Sequence, residues 1–226
     1  MPRFRNRAEA GRELAATLDA FRGRHDVIVL GLPRGGVPVA YEVADALGAP
    51  LDVFTVRKLG APGNEEVAIG AIATGGVLAI DRYATRVLRV SDAALEALID
   101  RERRELVRRE RLYRGDRAMP SLAGKTVIVV DDGLATGATM QVAVAALRTL
   151  KPLRIVAAAP VGSMEACAAL RQVADACVCS REPQAFFGVG AWYEDFSQTS
   201  DDEVLDLLRQ AAPRAREERT LVAPGA

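Results

Sequence analysis

Residues 127–139, with the sequence VIVVDDGLATGAT, decide the fold that we expect for this chain. The apolar run at residues 127–130 predicts a strand buried on both faces, as in a parallel sheet covered by helices. Two acids, Asp131 and Asp132, follow at once, and a loop of small residues then leads into a helix. Ligands of such sheets bind at the carboxyl ends of the strands, which is where the two aspartates fall. The segment therefore predicts an α/β fold with a ligand site at this point.

The loop at residues 133–139 has the composition of a phosphate-binding loop. Small residues let backbone N–H groups approach a ligand closely, and the following helix adds unsatisfied N–H groups and the positive end of its dipole. The loop is neither of the common nucleotide-binding motifs, because its two glycines are too close for a Walker motif, no lysine follows, and G-x-G-x-x-G is absent. The residues expected to contact a phosphate are Gly133, Ala135, Thr136, Gly137, Ala138 and Thr139.

The two aspartates indicate which phosphate compound the loop would bind. Carboxylates beside a phosphate repel it unless they face another part of the ligand. A ribose 5-phosphate resolves the conflict, because its phosphate lies in the loop while its 2- and 3-hydroxyls donate hydrogen bonds to Asp131 and Asp132. Mg²⁺ held by the same two carboxylates would neutralise their charge. The alternative that the aspartates merely cap a turn stays open.

Strands and helices alternate along the rest of the chain, which predicts a mostly parallel sheet flanked by helices on both faces. A hairpin is expected at residues 67–80, where two β-branched runs flank Thr74, Gly75 and Gly76. The predicted strands are residues 27–30, 51–56, 126–130, 154–161 and 176–179. The predicted helices are residues 7–21, 37–47, 91–113, 137–150, 164–173 and 200–211. We expect one domain of residues 1–212 and a disordered tail at residues 213–226.

The composition excludes several classes of protein. Thirty basic residues balance thirty acidic ones, so no overall field attracts nucleic acid or an acidic membrane. The N-terminal stretch MPRFRNRAEAGREL lacks the apolar region of a signal peptide, and no apolar run approaches the length of a membrane span. We therefore expect a cytoplasmic protein without nucleic-acid or membrane partners.

Two further features are expected to be structural. With three cysteines and one histidine, the chain has too few soft ligands for a structural zinc site. Cys177 and Cys179 are expected to point to opposite faces of a strand and to pack in the core. Residues 101–117 contain eight arginines and four acids, which predicts a solvated helix face or a dimer contact.

The order of apolar strand, two acids and small-residue loop resembles the signature of the type I phosphoribosyltransferases. Their loop has the form x-x-A-T-G-G-T, which this chain matches through Thr136, Gly137 and Thr139, with Ala138 in place of the second glycine. The resemblance implies the family's Rossmann-like fold with a small C-terminal hood, here at about residues 180–200. It also implies Mg²⁺ as cofactor, 5-phosphoribosyl 1-diphosphate (PRPP) as substrate, and dimers as the expected assembly.

Segments outside the motif extend this resemblance. The stretch GLPRGG, at residues 31–36, lies where the family binds the diphosphate, often with a cis peptide bond, and Arg34, Gly35 and Gly36 have suitable donors. Arg57 and Lys58 resemble the basic pair of adenine and orotate members, which implies a catalytic role. Residues 59–66 resemble the family's mobile catalytic loop, and an ordinary surface loop is the alternative.

The aromatic segment FFGVGAWYEDF, at residues 186–196, resembles the family's hood. Val189, Trp192 and Asp195 are the residues that we expect to face an acceptor, since an aromatic ring there could stack on a flat base. The implied reaction is transfer of the phosphoribosyl group to a nitrogen acceptor of the nucleobase class, with release of diphosphate. The main alternative is a non-catalytic sensor of PRPP; a PRPP-forming diphosphokinase and a ribosyl hydrolase are the others.

Overall fold

The computed structural model describes residues 2–211, apart from the side chains of residues 65 and 66. The tail predicted at residues 213–226 lies outside this part. The strands are β1 (Val27–Gly31), β2 (Leu51–Val53), β3 (Val56–Ala61), β4 (Asn64–Ala73), β5 (Val77–Ile80), β6 (Thr126–Val130), β7 (Arg154–Val161) and β8 (Ala176–Arg181). The helices are α1 (Arg7–Thr17), α2 (Gly36–Leu47), α3 (Arg82–Val87), α4 (Asp92–Arg114), α5 (Ala138–Thr149), α6 (Met164–Val173) and α7 (Asp201–Ala211).

The main sheet has five parallel strands in the order β2-β1-β6-β7-β8, which confirms the predicted α/β fold. Every residue of β1 and β6 is buried. Alternate residues of these strands point to opposite faces, so that Val127 and Val129 pack with α5 and α6 while Ile128 and Val130 pack with α1 and α2. The central position of β6 places the residues after it at the carboxyl edge of the sheet.

A second sheet of three antiparallel strands, β3-β4-β5, packs on α4. The hairpin predicted between β4 and β5 is present, with a short 3-10 turn at Thr74–Gly76. The single strand predicted at residues 51–56 is wrong. Strand β2 ends at Val53, and the N–H of Phe54 makes a last hydrogen bond to the main sheet, at 3.0 Å from the Gly31 carbonyl. The N–H of Thr55 instead donates to the Thr74 hydroxyl of the second sheet's turn at 2.9 Å.

Residues 59–66, which resemble the family's mobile catalytic loop, form the tip of the β3–β4 hairpin. Both strands continue into it, and the turn is made by Pro62 and Gly63, whose φ of 79° favours glycine. The basic pair Arg57 and Lys58 therefore lies inside β3 and not at the end of a strand of the main sheet.

The helices differ from prediction in three places. Helix α1 ends at Thr17, and a separate 3-10 turn, Asp19–Phe21, follows it. The short helix α3 was not predicted. Residues 101–117 are not a wholly solvated face, because Glu102 and Arg114 of α4 are only 5% and 7% exposed.

Cys177 and Cys179 pack against the core as expected, but the prediction that they point to opposite faces of the strand is wrong. Residues two apart on a strand share a face, and Cys177 and Cys179 both pack towards Cys167 of α6. Among residues 2–211, no helix combines the length and the apolarity that a bilayer span requires.

Candidate functional site

Asp131 and Asp132 follow β6 at the carboxyl edge of the main sheet and are half-buried. Their backbone is tied to the neighbouring strand, since the N–H of Asp131 donates to Ala158 of β7 at 3.2 Å. The Asp131 carboxylate accepts the N–H of Asp132 at 2.9 Å. The rigid strand therefore holds two carboxyl groups side by side at the edge where ligands of such sheets bind.

The two carboxyl groups repel each other when both are ionised, and a cation beside them would reduce that repulsion. Burial, and then the charge of Asp132, raises the pKa of Asp131 to about 8. Burial also raises the pKa of Asp132, while its hydrogen bond from Arg7 acts in the opposite direction. Without a further positive charge nearby, the pair is costly to ionise fully.

A second loop, residues 32–36, packs against the aspartates from the end of β1. The peptide bond between Pro33 and Arg34 is cis, as the family resemblance implies. A Cβ atom on Gly35 would lie 2.1 Å from a carboxylate oxygen of Asp132, and one on Gly36 would lie 2.6 Å from the Val130 carbonyl oxygen. Only glycine allows the two loops to approach this closely.

Both loops lead into helices that begin without a side-chain cap. Helix α2 starts after Gly35 and α5 after Gly137, and neither residue offers an acceptor to the first N–H groups. The other described α-helices begin with capping side chains, those of Asn6, Asp81, Ser91, Ser163 and Ser200. At α2 the first N–H groups are already used, since those of Gly36 and Val37 donate to the Leu32 and Arg34 carbonyls and Pro38 has none. At α5 the N–H of Ala138 donates to the Thr136 hydroxyl, and those of Thr139 and Met140 have no partner within the described chain, so this helix start is available to an anion.

The predicted phosphate-loop residues present an open surface beside these N–H groups. Ala135, Thr136, Ala138 and Thr139 are exposed, whereas Gly137 is buried against α6. Ser163 holds this loop through two hydrogen bonds. Its hydroxyl donates to the Ala135 carbonyl at 2.8 Å, and its N–H donates to the Leu134 carbonyl at 2.9 Å.

The hood covers the aspartate motif from the other side. A Cβ atom on Gly133 would lie 2.4 Å from the Val189 side chain, so these two residues are in direct contact. The Tyr193 hydroxyl donates to the Asp132 carbonyl at 2.6 Å. The hood is itself held by the N-terminal segment, because Phe4 exchanges backbone hydrogen bonds with Trp192 and Glu194, both at 2.8 Å.

Arg7, at the start of α1, links the hood to the aspartates. Its Nε donates to Asp132 at 2.9 Å, and its Nη1 donates to the Ser197 carbonyl at 2.7 Å. Its guanidinium carbon lies 4.2 Å from the centre of the Phe196 ring. The Arg7 and Asp132 side chains are only 11% and 15% exposed, so this is a largely buried ion pair.

The predicted basic residues of the site, Arg57, Lys58 and Arg34, differ in their contacts. Arg57 forms an ion pair with the buried Glu102 of α4, with an Nη2–Oε2 distance of 2.6 Å. Lys58 is exposed on the same strand. The half-buried side chain of Arg34 makes no hydrogen bond or ion pair within the described chain, and therefore remains available to an anion.

Two predicted hood residues have structural contacts. Trp192 packs beside Phe4 in the small core between the hood and the N-terminus. Asp195 is exposed and accepts the N–H of Ser197 at 2.9 Å, which lowers its pKa. Phe187 is 90% exposed, so its ring is more accessible than that of the partly buried Trp192.

Sequence reasoning missed Arg7, Tyr193 and Ser163. Arg7 resembles any charged residue of an amphipathic helix, and its partner Asp132 is 125 residues away. Ser163 has a local signal, because a serine directly before a helix is a typical cap, but that signal does not reveal its second contact with the Ala135 carbonyl.

Comparison with known proteins identifies the family of the chain. The family model of the phosphoribosyl transferase domain matches residues 3–194. A Mycobacterium tuberculosis protein, provisionally named a phosphoribosyl transferase, is 44% identical over 211 residues, covering 93% of this chain and 47% of that protein. The chain therefore spans about half the length of the curated relatives that it matches.

A solved structure is similar over nearly the whole fold. The crystal structure of TT1426 from Thermus thermophilus is 44% identical, covers 93% of this chain and 99% of its own, and superposes with a TM-score of 0.83. With the family match across most of the described residues, the conclusion is that this chain belongs to the phosphoribosyl transferase domain family.

Proposed function

We propose that the protein transfers the 5-phosphoribosyl group of PRPP to a nitrogen acceptor of the nucleobase class and releases diphosphate, with Mg²⁺ as cofactor. The observation that carries this proposal is that Asp131 and Asp132 lie beside the open start of α5 and the loop of Arg34 at one edge of the sheet. A ligand with a diol and phosphates at both ends satisfies both kinds of group.

Each end of PRPP has a matching part of the site. The exposed loop 135–139 and the start of α5 would hold the 5-phosphate, and Asp131 and Asp132 would accept hydrogen bonds from the ribose hydroxyls. The loop 32–36, with the guanidinium of Arg34, would hold the diphosphate. We assign Lys58 to the leaving diphosphate as well. Arg57 would act there only if it released Glu102.

The donor set at the aspartates fits Mg²⁺. Mg²⁺ prefers oxygen ligands and binds through one or two carboxylates together with substrate phosphates. The raised pKa of Asp131, caused by burial beside Asp132, indicates a carboxyl pair whose charge is not fully compensated. Asp131 and Asp132 would hold the ion, which would neutralise charge on the diphosphate as it leaves.

The protein itself contributes orientation and charge. Bond breaking at ribose C1 builds positive charge on the sugar and negative charge on the diphosphate, and fixed groups at both positions stabilise that separation. The hood would place the acceptor over C1, with Val189 already in contact with Gly133. Phe187 and Trp192 are the rings that could stack on a base, and Asp195 could accept from its ring nitrogens.

The test measures diphosphate release from PRPP and Mg²⁺ with adenine, hypoxanthine, guanine, orotate or uracil as acceptor. We expect release that requires one of these acceptors and the formation of its ribonucleotide. The double variant Asp131→Asn, Asp132→Asn should abolish transfer while keeping the circular dichroism spectrum of the parent. Removing one charge contact of this kind typically costs about 3–4 kcal/mol of transition-state stabilisation.

Three outcomes would contradict the proposal. Undiminished turnover by the double variant would remove the aspartates from the reaction. Tight PRPP binding without turnover across the acceptors would identify a sensor. Release of diphosphate and ribose 5-phosphate without any acceptor would identify a hydrolase.

A further inference from the structure

Three cysteines form a cluster that the proposed function does not use. Cys167 lies on α6, and Cys177 and Cys179 lie on one face of the edge strand β8. All three are free thiols. Their sulfur atoms lie within 4.8 Å of one another, and those of Cys167 and Cys179 are 3.0 Å apart. Two separate elements thus direct every cysteine of the chain to one point.

We propose that this cluster is a three-coordinate thiolate site for a soft monovalent metal ion and that it binds Cu(I). Thiolate sulfur selects soft ions such as Cu(I) over ions that prefer oxygen. Apart from the undescribed residues, no histidine or carboxylate belongs to the group. A structural zinc site takes four protein ligands, and this cluster supplies three.

The surroundings of the cluster provide space for the sulfur atoms. The backbone of Gly162, after β7, lies directly beside them. A Cβ atom there would lie 2.6 Å from the Cys167 sulfur and 3.0 Å from the Cys179 sulfur. A metal–sulfur distance of about 2.3 Å places three sulfur atoms about 4 Å apart around a trigonal ion. Cys167 and Cys179 would therefore separate by about 1 Å, within reach of a side-chain rotation.

Binding of the ion converts the thiols of the cluster to thiolates, the form that binds metals. Each thiol that coordinates Cu(I) releases its proton to solvent, and the copper stays in its +1 state, so that no electron acceptor is needed.

The experiment titrates the reduced full chain with Cu(I), without oxygen, in competition with the coloured chelator bicinchoninate. We expect one Cu(I) per chain and a sulfur-to-copper charge-transfer band in the ultraviolet. Cys167→Ser, Cys177→Ser and Cys179→Ser should each weaken binding by about tenfold or more. Val178→Ala changes the opposite face of the same strand and should leave binding unchanged. Melting curves establish that each variant is folded.

Three results would overturn the proposal. The first is that the chelator keeps all the Cu(I), or that the serine variants compete as well as the parent. The second is that mass spectrometry of a mixture of both ions finds Zn(II) retained in preference to Cu(I). The third is that iodoacetamide, without oxygen, alkylates the three thiols equally fast with and without Cu(I), which would show that the ion does not occupy them. None of these results depends on phosphoribosyl transfer.

Discussion

At the scale of single residues, the aspartate motif depends on glycines that are required by their neighbours. Gly35, Gly36 and Gly133 all have negative or extended φ angles, so another residue could adopt their backbone conformation. What excludes a side chain is the close approach of Asp132, Val130 and Val189, respectively. The site is therefore a contact between three loops, and a single methyl group would separate them.

The substitution Gly133→Ala tests the contact between the motif and the hood. The added methyl group would lie 2.4 Å from Val189, and overpacking of this kind typically costs about 1–3 kcal/mol. We expect a lower free energy of unfolding in urea and a higher KM for PRPP. The second substitution Val189→Ala removes the clashing atoms and should restore part of both values. If the double variant is no more stable than Gly133→Ala alone, the two residues do not restrict each other.

Arg7 is expected to be a positioning residue for Asp132. Removing one partner of a largely buried ion pair typically costs about 3–5 kcal/mol, and Arg7 also holds the hood through Ser197. Arg7→Ala should therefore lower the free energy of unfolding by about 3 kcal/mol and raise KM for PRPP more than it lowers kcat. Arg7→Lys keeps the charge but loses the fork of donors, and should recover only part of the loss.

Arg12 provides the matched control on the same helix. Its ion pair with Glu42 is solvent-exposed, with 54% of the Arg12 side chain accessible, and such pairs contribute about 0–1 kcal/mol. Arg12→Ala should leave KM unchanged. Equal effects of the two alanine substitutions would show that Arg7 contributes only surface charge.

At the scale of elements, α4 joins parts of the chain that the sequence pattern keeps separate. Its buried Glu102 pairs with Arg57 of β3, and its buried Arg114 pairs with Asp52 of β2 at 3.0 Å. Near its end, the Tyr113 hydroxyl donates to Asp201 of α7 at 2.6 Å. The alternating charges of α4 indicate a solvated helix, but its side chains connect the two sheets with each other and with the last helix.

Tyr113→Phe tests the contact between α4 and α7 through its pH dependence. Burial, and then the hydrogen bond to Asp201, raises the pKa of Tyr113 to about 12. A group whose pKa is raised on folding stabilises the protein below its unfolded pKa of about 10, and this contribution is lost as the pH rises through about 12. The free energy of unfolding of the parent should exceed that of the variant by about 1 kcal/mol at pH 8.

The difference in the free energy of unfolding between parent and variant should decrease from pH 10 to pH 12. Chemical denaturation at each pH measures it. Comparing the two proteins cancels the titration of their other tyrosines, lysines and arginines. If this difference stays constant to pH 12, the pKa of Tyr113 is not higher in the folded protein than in the unfolded chain.

At the scale of the whole molecule, the two sheets differ in how firmly they are packed. Every residue of β1 and β6 is buried between layers of helices, whereas no residue of β5 is fully buried. Local opening takes place where few apolar contacts must be broken. The second sheet, with the hairpin tip at residues 59–66, is therefore the part that we expect to move when a ligand binds.

Hydrogen exchange followed by mass spectrometry tests this difference. Amides of β5 should exchange at least about tenfold faster than those of β6, which corresponds to an opening free energy lower by about 1.4 kcal/mol. Addition of PRPP and Mg²⁺ should slow exchange at residues 32–36 and 133–139 and leave α1 unchanged. Equal exchange rates in both sheets would show that they open as one unit.

The sequence by itself determined those features whose signals are local. The apolar run of β6, the two acids after it and the small-residue loop lie within thirteen consecutive residues, and the serines that cap α4 and α6 act on N–H groups three residues away. Periodicity and capping depend on near neighbours, so the α/β fold and the aspartate motif could be predicted from residues alone.

The tertiary structure decided what depends on distant parts of the chain. Arg7 reaches Asp132 across 125 residues, and Phe4 holds a hood that begins almost at the other end of the described chain. The break after Val53 and the meeting of Cys167 with Cys179 likewise follow from how elements pack, because no residue nearby in sequence encodes the partner. The motif specifies which groups are at the site, and packing specifies what surrounds and restrains them.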